Sequence, residues 1–201
     1  SPMIFFLVFG IPLLFGMLFQ QFYNMMDTII VGKFLGVSAL ASVGATGSIN
    51  FMIIGFCMGV CNGFAIPVAQ RFGAKDEHGM RKFVANSVWL SIIFAVVMAV
   101  LVCVFCRQIL ELMNTPEDII DGSYSYIFVI FLGIPATYMY NLLSGIMRSL
   151  GDSKTPLYLL IFSSILNIIL DLLSIIVLKM GVAGAAWATV IAQAVSGFCC
   201  L

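Results

Sequence analysis

Charge is what this sequence has least of. Nine Lys and Arg, nine Asp and Glu and a single His are spread over 201 residues, so that only 9% are charged and the formal net charge is zero. That scarcity excludes a soluble domain, because a hydrophobic content of 62% and a mean hydropathy of +1.15 leave far more apolar surface than one core can hide. No basic patch or run of like charge is present, which excludes nucleic acid as a partner. The alternating ten-residue pattern of a membrane β-barrel is also missing. One His leaves nothing to complete a zinc set around Cys103 and Cys106. All six Cys (57, 61, 103, 106, 199 and 200) lie in apolar runs, where they are expected as free thiols packed as small hydrophobes. His78 falls in the most charged stretch, Arg71 to Lys82, and is expected as a solvated loop residue. The chain starts at Ser1 without a basic segment and cleavage site, so no signal peptide is expected, and the sequence reads as cut from something longer.

What is present is a series of apolar runs, each near the ~20 residues a membrane span requires. Breaks of Gly, Pro and charge divide them into six expected helices at 3–34, 38–70, 83–106, 122–148, 156–178 and 184–201, the last truncated, all within one domain over 1–201. The fold class expected is therefore an all-α membrane protein of six transmembrane helices. Arg71, Lys75, Arg81, Lys82, Arg148 and Lys154 fall in loops on one side, and Lys33, Arg107 and Lys179 on the other. Basic residues are retained in the cytoplasm, so the amino terminus is expected inside. Gly55, Gly59 and Gly63 form a ridge on the second helix, read as a surface against which another helix packs.

Two acids interrupt the apolar spans. A carboxylate at a helix centre costs roughly 2.5 to 3.5 kcal/mol on insertion scales, so Asp27 and Asp171 need compensation or a use. Asn167 lies one turn before Asp171, and Gln20, Tyr23 and Asn24 lie one and two turns before Asp27. Thr137, Asn141, Ser144 and Arg148 share a face of the fourth helix, with Tyr126 further up it, while Thr189 and Gln193 share one of the sixth. A rise of about 1.5 Å per residue puts Asp27 and Asp171 each roughly 10 Å, and Thr189 roughly 8 Å, from the outer ends of their helices. At that common depth they can meet. Such a group serves either as a hydrogen-bond cluster that fixes helix packing or as an ion or proton site; two acids beside Asn and Thr point to the second.

Across nearly its whole length the sequence resembles the multidrug and toxic compound extrusion transporters. The resemblance is carried by Pro12-Leu13-Leu14, Gln20-Gln21-Phe22-Tyr23-Asn24, Asp27-Thr28-Ile29-Ile30-Val31-Gly32, Leu40-Ala41-Ser42-Val43-Gly44, the run Arg148 to Pro156, and Asn167-Ile168-Ile169-Leu170-Asp171 in that order. It implies one lobe of a twelve-helix, two-lobe protein in the cell membrane, with a carboxy-terminal six-helix lobe as its missing partner. It also implies export of small amphiphilic, often cationic compounds, coupled to Na⁺ or H⁺ and with no other cofactor. The matching cation site is Asp27, Asn167, Asp171 and Thr189, with Na⁺ possible at those four. Tyr126 and Asn141 match a supporting hydrogen-bond network, and Gln20 and Tyr23 match residues facing the transport chamber. Ile30 and Ser144 depart from relatives with larger or more polar groups there.

Three other functions remain open. An intramembrane aspartyl protease also needs two membrane aspartates, but Met26 precedes Asp27 and Leu170 precedes Asp171, unlike the Tyr-Asp and Gly-x-Gly-Asp of that class. A lipid-linked oligosaccharide flippase of related architecture would be expected to present deep basic residues to a pyrophosphate. A structural channel subunit is the third.

Overall fold

The structure is a computed structural model that describes residues 2–200, with side chains described from residue 10; Ser1 and Leu201, the ends of the expected domain and of the sixth helix, lie outside it. Every regular element among the described residues is helical. They run α1 (Pro2–Leu35), α2 (Val37–Gly73), α3 (Glu77–Val104), α4 (Cys106–Leu112), α5 (Ile120–Leu132), α6 (Ile134–Ser149), α7 (Lys154–Leu172), a π-helical turn (Leu173–Val177) and α8 (Val182–Cys199).

Four of these stretches are long and apolar enough to cross a membrane: α2, α3, α7 with its π turn, and α8. The pair α5 and α6 makes a fifth if counted as one span. Helix α1 is 34 residues long, which suffices to cross a membrane, and it carries Gln20, Gln21, Asn24 and Asp27 in its second half. The chain is an all-α, multi-pass membrane protein. Its surface agrees with that: Trp89, Tyr158 and Phe198 point outward, as residues facing lipid do.

Several boundaries differ from the expected ones, for local reasons. The span expected unbroken over 122–148 bends by 47° between α5 and α6. Pro135, in the first turn of α6, has no N–H to continue the ladder, and Gly133 stands at the joint. A Cβ on Gly133 would lie 2.2 Å from Cγ2 of Val190, so α8 approaches closer than any side chain allows. The charged loop expected over 73–79 shrinks to three residues, because Asp76 caps α3 by accepting from the Gly79 N–H at 2.9 Å. Arg71 donates to the same carboxylate at 2.8 Å. Beyond α3, the short α4 carries Cys106. All six cysteines are free.

Helix α8 lies against α5, α6 and α7. Ala185, Ala186, Ala188 and Ala192 are buried on it, together with Gly184 and Gly197. In lipid, association depends on close backbone approach, and small residues supply it. The packing role expected of Gly55, Gly59 and Gly63 is not seen: a Cβ on any of them would meet nothing within 4 Å. Cys57 and Cys61, not the glycines, turn α2 toward the core, so the ridge is left on the exposed side.

Candidate functional site

Asp27, Asp171, Asn167 and Thr189 are brought together from α1, α7 and α8. Helix α1 packs on α7, and α7 on α8, which sets three polar faces around one point. Asn167 and Asp171 are fully buried, and Asp27 is 8% exposed. The two carboxyl groups lie within hydrogen-bonding reach of one another. Asn167 satisfies both neighbours with its amide nitrogen toward Asp171, 2.9 Å from Oδ2, and its oxygen toward Thr189, 3.1 Å from N and 3.2 Å from Oγ1. Tyr23 donates to Thr189 Oγ1 at 3.1 Å, closing the group from α1. One oxygen of each acid, Asp27 Oδ1 and Asp171 Oδ1, is buried without a hydrogen-bond partner.

Two carboxylates so close, in surroundings that exclude water, cannot both carry charge unless a cation stands with them. Two residues after Asp171 the helix widens into the π turn, a distortion that interrupts the regular ladder beside the acids. Sequence periodicity gave no sign of it. No group of three or more His, Cys, Asp or Glu is placed to hold a metal among the described residues. Two acids with neutral oxygens beside them have the chemistry to hold a proton or a hard cation.

The acid pair sits behind a cavity. A space of about 710 Å³ is lined by Gln20, Tyr23, Asn24, Asp27, Thr46, Asn50, Tyr126, Thr137, Thr189 and Gln193 among others, with Asp27 its one charged wall residue and Asp171 behind it. Gln20 and Tyr23 thus both face this cavity. Tyr126 is buried beside Asp27 on its wall. Thr137 and Gln193 hydrogen-bond to each other across α6 and α8. Asn141 is not brought to the acids; its amide donates to the Thr137 carbonyl of its own helix at 2.8 Å, and it lines a second cavity.

That second cavity, of about 350 Å³, lies toward the start of α1 and the end of α6, where Arg148 is its one charged wall residue. Gln20 and Met58 line both spaces. The sequence set Arg148 on the polar face of the fourth helix and counted it among the loop charges, but gave it no site role.

The chain thus sets a buried acid pair on the wall of a polar cavity within a helical membrane architecture. Its residues 12–173 match the MatE family model, and the chain belongs to that family, whose members are transporters and not enzymes. It is 35% identical to the probable multidrug resistance protein YoeA of Bacillus subtilis over 190 residues, covering 92% of this chain and 41% of that protein. It is 28% identical to the multidrug export protein MepA of Staphylococcus saprophyticus, covering 94% of this chain and 42% of the relative. The crystal structure of a MATE protein in a bent conformation superposes with a TM-score of 0.90 at 29% identity, over 98% of this chain and 44% of that one. The chain therefore spans less than half the length of the relatives it matches.

Proposed function

We propose that the chain forms one lobe of a cation-coupled antiporter, which exports amphiphilic, often cationic compounds across the cell membrane in exchange for H⁺ or Na⁺. A second six-helix lobe completes it, and the amino terminus lies in the cytoplasm. The observation that carries the reading is the Asp27–Asp171 pair: two buried acids within reach of one another at the wall of a cavity large enough for a small molecule. The names of the relatives, multidrug resistance and multidrug export, support the class of cargo.

Coupling follows from charge. A cation held between the acids lowers the charge of the site from −2 to −1 and lets the helices close around it. Its loss leaves a buried negative pair that attracts a cationic amphiphile into the larger cavity and cannot stay packed unchanged. Cargo and ion then exclude each other, which is the thermodynamic content of antiport. With its nitrogen donating to Asp171, the orientation that fills both neighbours in the absence of an ion, Asn167 supports a pair that is empty or protonated. Na⁺ at Asp27, Asn167, Asp171 and Thr189 requires that amide to turn over.

The flippase reading fares less well. A pyrophosphate needs several cations, and Arg148 is the one basic residue on either cavity wall. The experiment is reconstitution of the full-length protein in liposomes with an amphiphilic fluorescent cation such as ethidium, under an imposed pH or Na⁺ gradient. Gradient-driven movement of the dye is the expected result. No movement under either gradient would sink the proposal.

A further inference from the structure

The two cavities carry opposite charge. The larger has Asp27 as its one charged wall residue and the smaller has Arg148, with Gln20 and Met58 common to both walls. In a chain that holds two ion pairs among its described residues, Arg71–Asp76 and Arg107–Glu111, Arg148 belongs to neither. Arg148 is partly buried and lines a pocket whose other walls include Pro12, Leu13, Leu157 and Leu160. Ser144, one turn before it, is 2% exposed and lines the same pocket, with the Tyr140 hydroxyl and the Cys200 thiol within its reach. Asn62 and Asn141 add polar edges.

We propose that the smaller cavity binds the anionic head of an amphiphile carrying one negative charge, a carboxylate or a phosphodiester, with its apolar body along α1 and α7. The chemistry matches the walls. A guanidinium presents a planar fork that meets two oxygens of one anionic group, and Ser144 supplies a hydroxyl one helical turn away. A single cation suits a single negative charge. The apolar strip from Pro12 to Leu160 covers a hydrocarbon or aromatic body, and about 350 Å³ is room for a small drug-sized molecule and no more. Two sources meet this description, an exported compound with an acidic group and an anionic lipid. If cargo is the occupant, the inference deepens the export reading and rests on it: compounds bearing both charges would find a partner in each of two adjoining cavities.

The test is equilibrium binding by the full-length protein, not transport. The probe is 11-(dansylamino)undecanoic acid, read by fluorescence in phosphatidylcholine nanodiscs, against a dansyl alkylamine of the same length. Arg148→Gln should weaken the carboxylate at least roughly tenfold and leave the amine unchanged. Arg148→Lys should recover most of the affinity, and Ser144→Ala should cost a few-fold, which separates lost recognition from lost folding. Repeating the titration with phosphatidylglycerol in the discs distinguishes the sources: competition identifies a lipid occupant, and its absence a soluble one, both within the proposal. Equal carboxylate binding by the wild type and Arg148→Gln would overturn it, and would place the guanidinium against an acid elsewhere in the protein. Carboxylate binding that persists in a protein showing no gradient-driven efflux would count against the export reading alone.

Discussion

Asp171 is the costliest residue in the molecule to bury, being charged by nature and fully enclosed. Its surroundings meet only part of its demand. Asn167 gives one hydrogen bond and Asp27 stands within reach, yet Oδ1 has no partner. An acid retained for packing alone would be expected to have its acceptors filled, since each unpaired buried oxygen costs about 1 to 3 kcal/mol. Asp27→Asn and Asp171→Asn each keep the volume and mimic the protonated group, so the full-length variants should reach the membrane at normal levels and lose gradient-driven efflux. Asn167→Ala removes a neutral neighbour and leaves both acids, so efflux should fall only several-fold. Wild-type efflux in either aspartate variant, measured against surface expression, would refute the pairing. The acids, Asn167 and Thr189 were legible in the sequence because polar groups in apolar spans announce themselves, and helical rise brought them to one depth. Asn141 met the same criterion, yet the chain turns it toward a different cavity and its own helix backbone. Periodicity fixes a face, but not which neighbour that face meets.

Elements obey local rules where water reaches them and packing rules where it does not. At the start of α7, Asp152 accepts from the backbone N–H groups of Lys154 and Thr155, both at 3.0 Å. Hydrogen bonding from the side chain and backbone of Thr155 holds its carboxyl below the usual carboxylate range. A depressed value means that the ionised form is the one the fold prefers. Its contribution is present above the ordinary carboxylate range and is lost as pH falls through the depressed value. Asp152→Ala should speed amide exchange at Lys154 and Thr155 by roughly fivefold, corresponding to a cap worth about 1 kcal/mol. Unchanged exchange would deny the cap. The bend at Gly133 follows the other kind of rule. Gly133→Ala forces a methyl into Val190 and should lower the unfolding midpoint in detergent, with an overpacking cost of about 1 to 3 kcal/mol. Adding Val190→Ala should recover much of the loss, and a double variant no better than Gly133→Ala would show that the contact does not matter. Pro135 was read through in the helix expected over 122–148, and the approach of Val190, 57 positions after Gly133, could not be seen, because close contact between distant helices leaves no local periodic mark. The glycine ridge of α2 meets no helix among the described residues, since small residues permit close packing without saying which helix will come.

At the scale of the whole molecule, composition alone gave the solvent, and the order of polar motifs gave the family. The direction of insertion rests on basic residues in the loops. In cells expressing a full-length protein freed of its native cysteines, a Cys at Lys75 should resist an impermeant thiol reagent and a Cys at Glu117 should react. The reverse pattern would invert the chain in the membrane. The central claim is that one buried acid pair exchanges a cation against cargo, and this can be measured without any gradient. When an amphiphilic cation such as tetraphenylphosphonium is added to the purified full-length protein, ion displacement should follow saturably, read as protons released into weakly buffered solution or as bound ²²Na⁺ lost. The account predicts about one ion displaced per cation bound, abolished in Asp171→Asn; cargo binding with no displaced ion, or displacement unchanged in Asp171→Asn, would contradict it.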